Sequence, residues 1–237
     1  MPEQNSQTTS ANKIRIITQV LTTALKLWLR AQVSQISELK VEIKASDRQI
    51  LSGCIPSVSI FATRAVYQGL LITQIQLTAE NIRINIGSVL KGQPLRLLET
   101  VPVVGHLIVE EKDLNASLSS DLLSTALSDL LVKVLPTDYP QSQTINWQEI
   151  LLENNQIILR GMRVTNGETK PLDICLGLQL LSGHELQVGQ ISFKSNQEYI
   201  LDGNHQYSLD LGSDVDIQEL TLIPGQVVCR GRINVNP

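Results

Sequence analysis

The stretch KIRIITQVLTTALKLWLRAQVSQIS, residues Lys13–Ser37, runs straight into ELKVEIK, residues Glu38–Lys44, and these two patterns decide the fold. Lys13–Ser37 holds no Pro or Gly, and Ile14, Ile17, Leu21, Leu25 and Trp28 recur at helical spacing, which predicts one long helix. At about 100° per residue, Ile16, Val20, Ala24, Leu27 and Ala31 lie beside that stripe, so the apolar arc spans about 200°. A strip of Arg15, Gln19, Thr22, Lys26 and Arg30 remains polar. A flat sheet covers about 100° of a helix, so this helix asks for cover on two sides, as from a sheet that curls around it. In Glu38–Lys44 the charged residues alternate with Leu39, Val41 and Ile43, the period of two of a half-buried antiparallel strand.

Strand patterns continue through Ile55–Phe61 and Val66–Ile86. Leu71, Thr73, Ile75, Leu77 and Ala79 occupy odd positions, whereas Ile82, Ile84 and Ile86 occupy even ones. A change of parity sends side chains to the opposite face, so a bulge or bend is expected near Glu80. After the Gly- and Pro-punctuated segment Gly92–Gly105 and a strand at His106–Glu110, the leucines of Asp113–Leu135 read as a second helical segment in one or two pieces. Ser119 or Ser120 is the N-cap and Pro136 the stop. Thr137–Thr144 reads as a polar linker. Strands return at Ile150–Leu152 and Ile157–Val164, and in the alternation of Leu172, Ile174, Leu176, Leu178 and Leu180. Turns are expected at Asn154-Asn155, Ser182-Gly183 and Pro224-Gly225. A last strand sets Val227, Cys229, Gly231, Ile233 and Val235 inward. Helix, strands, helix, strands, with no alternation of strand and helix, predicts an α+β fold with a large antiparallel sheet.

Composition narrows the function. With 237 residues the chain is expected to form a single domain, 13–237, preceded by a polar, disordered N-terminus at 1–12. Hydrophobic residues at 42% against 18% charged argue for a large core, and 3% aromatics make that core aliphatic. The net charge of −4 and the few aromatics argue against nucleic acid as a partner. Cys54, Cys175 and Cys229 are odd in number and far apart, so a reducing compartment fits. Ile14–Leu29 is too interrupted for a membrane span and Met1–Asn12 is unlike a signal peptide, so a cytoplasmic protein is expected, soluble or peripheral on a membrane face.

No catalytic constellation stands out. His106, His184 and His205 share no metal or triad spacing, and no phosphate-binding loop or nucleophile elbow is present, so neither enzyme activity nor a cofactor or metal is expected. Asp210, Asp214 and Asp216 lack the spacing of a Ca²⁺ loop and read as turn and strand-edge residues. Between Glu3 and Glu38 there is no acid, and Lys13, Arg15, Lys26 and Arg30 make the first helix basic. That strip reads either as a solvated helix face or as a docking surface for an anionic membrane.

Arg48-Gln49-Ile50-Leu51-Ser52-Gly53, Val66-Tyr67-Gln68-Gly69-Leu70, a strand at Leu95-Arg96-Leu97-Leu98, Asp113-Leu114-Asn115-Ala116-Ser117-Leu118 and Leu209-Asp210-Leu211-Gly212-Ser213-Asp214-Val215 together resemble the LmeA family of phospholipid-binding proteins, in the form found in photosynthetic bacteria. The resemblance spans nearly the whole chain. It implies a fold of the tubular lipid-binding (TULIP) and bactericidal/permeability-increasing type: a long, curved antiparallel sheet rolled around a long N-terminal helix, elongated, with lipid held in an apolar groove. On that reading the partner is a phospholipid or other fatty-acyl lipid. Leu25, Trp28, Leu29, Val41, Ile43, Ile75, Leu77 and Ile84 contact the acyl chains, while Lys26 and Arg30 meet the headgroup or membrane. The alternative is a scaffold protein with a closed core that binds a protein partner through a sheet edge or the basic helix.

Overall fold

The computed structural model describes residues 6–134, 144–165, 168–195, 198–203 and 206–237. Helix α1 (Ser6–Gln32) leads into β1 (Glu38–Lys44), the short helix α2 (Asp47–Leu51), the hairpin of β2 (Cys54–Tyr67) and β3 (Leu70–Arg83), one turn of helix α3 (Ile86–Val89), and β4 (Val101–Glu110). Helices α4 (Glu111–Ala116) and α5 (Asp121–Val134) follow. Then come β5 (Thr144–Glu153), β6 (Gln156–Thr165), β7 (Glu168–Ser182), β8 (Glu185–Ser195), β9 (Glu198–Gly203), β10 (Tyr207–Asp210), β11 (Val215–Ile223) and β12 (Gln226–Val235). The expectations for residues 1–5, Leu135, Pro136, the linker 137–143 and His205, and for the side chains of Lys13, Ile14, Arg15, Ile16 and Ile17, lie outside the described residues.

The class is α+β and the pairing antiparallel throughout, but the strands form two sheets where one long sheet was expected. The first runs β1-β2-β3-β4-β12-β11, and the second β10-β8-β7-β6-β5 with β9 paired to β8. The C-terminal hairpin crosses back to the first sheet, where Ile233 pairs with Val103 and Val235 with Val101. Each sheet has its own core. Leu21 and Leu25 of α1 pack with Ile55, Val58, Ala79, Ile82, Ile84 and Val103 of the first sheet and its loops. Leu127 and Leu131 of α5 pack with Leu159, Leu172, Ile174, Leu176, Val188 and Phe193 of the second. The mid-chain helical segment therefore divides in two, and Ser120 caps α5 by accepting a hydrogen bond from the Leu123 N–H at 3.2 Å.

Helix α4 closes the free edge of β5. The Asn115 side chain donates to the Ile150 carbonyl and accepts from the Ile150 N–H, both at 2.8 Å, and a Glu111 carboxylate oxygen accepts from the Leu152 N–H at 2.7 Å. On its other side Ser117 Oγ accepts from the Leu71 N–H of β3 at 2.8 Å, and Thr73 donates to the buried Asp113. Side chains thus satisfy backbone groups that an edge strand would leave open, and they join the sheets.

The expected parity change is present, and its form is a bend without a bulge. Ala79 points inward and so do Ile82 and Ile84, and between them Asn81 adopts φ +54°. The β2–β3 register is continuous across it, with Ile55 opposite Ile82 and Ser57 opposite Glu80. A single left-handed residue turns the strand face over while no residue is inserted, and Asn tolerates that conformation better than most residues. Four further expectations are corrected. Helix α1 stops at Gln32, because Ser34 and Gln35 exchange backbone hydrogen bonds with Val66 of β2. Val66–Ile86 is interrupted at Gln68-Gly69, both at positive φ, so Val66 and Tyr67 end β2. Leu95–Leu98 contributes only an isolated bridge, Leu97 to Ile84. Ile233, expected inward, is 44% exposed near the end of β12.

Candidate functional site

The apolar arc of α1 is divided between two environments. Leu21 is fully buried, and Leu25, Ala24, Trp28 and Leu29 pack with it on the first core. The other half of the arc is left uncovered by the sheet: Val20 is 39% exposed, Leu27 61%, and Ala31 is exposed. The expected cover on two sides is therefore provided on one. Along the uncovered side runs an open cleft of about 630 Å³, walled by Gln19, Val20, Thr23, Ala24, Leu27, Trp28 and Ala31 of α1, by Val89 at the end of α3, and by Gly92, Gln93, Pro94 and Leu95 of the loop after it. That volume falls within the roughly 300–1,000 Å³ of ordinary small-molecule sites.

The second wall is held in place by Asn85. Its side-chain amide donates to the Pro94 carbonyl at 3.0 Å and its carbonyl accepts from the Arg96 N–H at 2.8 Å, while the Leu98 N–H donates to the Arg83 carbonyl at 2.9 Å. Gly92, at φ +77°, lets the chain reverse directly after α3. Buried Leu95 anchors the loop in the first core. The cleft is thus built from a rigid helix and a pinned loop, and none of its lining residues carries a charge or a thiol. Such a wall offers apolar area for contact, with the Thr23 hydroxyl and the Gln19 and Gln93 amides as its polar side-chain groups.

The residues expected to touch lipid gather, but as packing. Leu25, Trp28, Leu29, Val41, Ile43, Leu77 and Ile84 belong to one cluster with Leu21, Ile50 and Ile55. Ile75 is half-buried on β3 outside that cluster. Of the eight, Trp28 also lines the cleft. Of the remaining lining positions, Val20, Ala24, Leu27 and Ala31 were part of the wide arc in the sequence, which was the available signal for them, whereas Gln19 was read as part of the polar strip and the lining residues within Val89–Leu95 carried no such signal. Arg30 is exposed and Lys26 half-buried. Each stands one turn from a lining residue, three positions after Leu27 and Thr23 respectively, within reach of the cleft's rim. Neither makes an ion pair among the described residues.

Elsewhere the polar candidates are accounted for. Asp210 accepts from the Gly212 N–H at 2.9 Å in a turn, Asp214 accepts from the Asn236 amide at 3.2 Å, and Asp216 pairs with Arg232 at 3.1 Å. His184 is exposed in a turn, and His106 is half-buried in β4. Among the described residues no three His, Cys, Asp or Glu side chains form a group that could hold a metal ion. Among them, too, no helix is long and apolar enough to cross a membrane.

No curated protein and no solved structure matches the chain. The model of one family, LmeA-like phospholipid-binding, matches residues 13–232, which takes in α1 from Lys13 onward, both sheets as far as Arg232 of β12, and the cleft between α1 and the loop after α3. Matched over nearly all of its length, the chain belongs to the LmeA-like phospholipid-binding family.

Proposed function

We propose that this protein binds a phospholipid without catalysis, by taking an acyl chain into the cleft between α1 and the Val89–Leu95 loop, and that it exchanges the lipid with a membrane. One observation carries this reading: half of the apolar arc of α1 is left uncovered and faces an uncharged cleft with pinned walls. Trp28 and Ala24 form the floor. Leu25, Leu29, Val41, Ile43, Leu77 and Ile84 are the packed layer behind it, and Lys26 or Arg30 meets the headgroup at the rim. A sheet rolled around the helix in the TULIP manner belongs to this reading, as an architecture in which an acyl chain would complete the cover of the helix. Each buried methylene contributes about 0.8 kcal/mol, so eight of them contribute about 6 kcal/mol before the entropy of association is subtracted. The scaffold reading draws on a different observation, that seven of the eight expected contact residues already meet one another in a closed core.

Native mass spectrometry of the freshly purified protein, followed by organic extraction, separates these readings. A fluorescent fatty-acid probe titrated into wild type and Ala31→Trp then locates the site. The substitution places an indole in the cleft from an exposed helical position. Binding at least tenfold weaker than wild type, with unchanged thermal stability, is expected. A wild type that carries no lipid and binds no probe overturns the lipid reading in favour of the scaffold.

A further inference from the structure

We infer that the outer rim of the α1 cleft is a docking face for an anionic bilayer, with Leu27 and Leu90 entering the headgroup layer and Lys26, Arg30, Lys91 and Arg96 lying against lipid phosphates. The inference rests on the lipid-binding reading for its purpose, because it names the surface from which the cleft takes its ligand, but docking is measured separately from acyl binding.

Charge complementarity is the first argument. The chain has 23 acids against 19 bases, yet the two walls of the cleft, within residues 19–31 and 89–95, lie in stretches of sequence, 4–37 and 84–98, that contain no acid. Lys91 and Arg96 bracket the lining run Gly92–Leu95, and Lys26 and Arg30 stand one turn from lining residues of α1. None of these four cations makes an ion pair among the described residues, whereas Arg83, Arg160, Lys170, Arg230 and Arg232 all do.

Exposed aliphatic side chains adjoin these charges. Leu90 is 47% exposed and directly follows the lining residue Val89, and Leu27 is itself on the wall. Leu90 is not on a slack tip, since its N–H donates to the Ile86 carbonyl and the loop beyond is tied to Asn85. Exposed leucines set among cations with no acid match a bilayer's interface, where the aliphatic groups enter the acyl boundary and the cations meet phosphate. A protein partner fits less well, because protein interfaces are depleted in Lys.

The test is co-sedimentation with vesicles of pure phosphatidylcholine and of phosphatidylcholine with about 30% phosphatidylglycerol, whose negative surface potential attracts clustered cations. Wild type is expected to pellet with the anionic vesicles and to be released by salt. Each cation near such a surface contributes about a fivefold factor, so Lys91→Gln/Arg96→Gln lowers partitioning about thirtyfold. Arg160→Gln/Lys170→Gln, with the same change in net charge on the second sheet, leaves partitioning near wild type. Leu90→Ser lowers it without removing its salt dependence. Fatty-acid probe binding in solution stays at the wild-type value in Lys91→Gln/Arg96→Gln. Equal pelleting with neutral and anionic vesicles, no pelleting at all, or equal loss in both double variants overturns the inference. Capture of a protein by this rim with no vesicle binding does so too. Probe binding without vesicle binding leaves the acyl cleft standing and docking refuted, and the reverse result refutes the cleft alone.

Discussion

Leu21 and Leu27 stand six positions apart on one helix, and truncating each to Ala tests whether the apolar arc of α1 has been divided between folding and ligand. Leu21 is fully buried against the first core. Leu21→Ala removes the transfer free energy of the lost carbons and leaves a cavity, for a total of about 3–5 kcal/mol. That is a large part of the roughly 5–15 kcal/mol that holds an ordinary domain together. Leu27 is 61% exposed, so it has buried less than half of its surface. Against about 2 kcal/mol for complete burial of a leucine, Leu27→Ala costs less than about 1 kcal/mol, and the better helix propensity of Ala offsets a few tenths of that. The surface of Leu27 still exposed in the free protein is what an acyl chain would cover. Its loss therefore weakens binding by about 1 kcal/mol, roughly five- to tenfold. Urea denaturation gives the first pair of numbers and fatty-acid probe titration the second. The expected pattern is a crossed one, with Leu21→Ala unstable and Leu27→Ala stable but weak in binding. Equal destabilisation by both, or wild-type probe affinity in Leu27→Ala, refutes the division of the arc.

Two further outcomes follow from the structure. Asn115→Ala strands the N–H and C=O of buried Ile150 on the outer edge of β5, and is expected to cost about 2–4 kcal/mol in urea denaturation. A loss under about 0.5 kcal/mol shows that the edge is not held by that amide. Burial raises the thiols of Cys175 and Cys229, with the Glu153 carboxylate adding to the effect at Cys175. The fold therefore holds these protons more tightly than the unfolded chain does. Their contribution to stability is present below the ordinary thiol range and is lost as pH rises through and above it. Iodoacetamide labelling near pH 8.5, the ordinary thiol range, read by peptide mass spectrometry, is expected to be slower at both sites than in urea-unfolded protein, and equal rates refute it.

What could be read in order along the chain was local. The period of two in Leu172, Ile174 and Leu176, the turns at Asn154-Asn155 and Pro224-Gly225, and the change of parity near Glu80 depend on neighbours within a few residues, and all appear in the structure, while the turn expected at Ser182-Gly183 falls one residue later, at Gly183-His184. The width of the α1 arc was equally legible, because helical geometry converts spacing into angle without reference to any other element. What covers that arc was not. Whether Val20 and Leu27 meet sheet or open space is set by where Val89–Leu95 is tied, and that rests on Asn85 hydrogen bonds spanning up to eleven positions and on Leu95 entering a core made by other strands. The division into two sheets is more remote still. Strand β12 carries an alternation that suits any antiparallel neighbour, and only the assembled backbone ladder puts Ile233 beside Val103, 130 positions away. Alternation records that a strand has an inner face, but the choice of partner is made by hydrogen bonds between segments that the sequence keeps far apart. For the same reason Val41, Ile43 and Leu77 could be recognised as inward-facing, while only the tertiary structure decided that they face one another and that the open space lies on the other side of the helix.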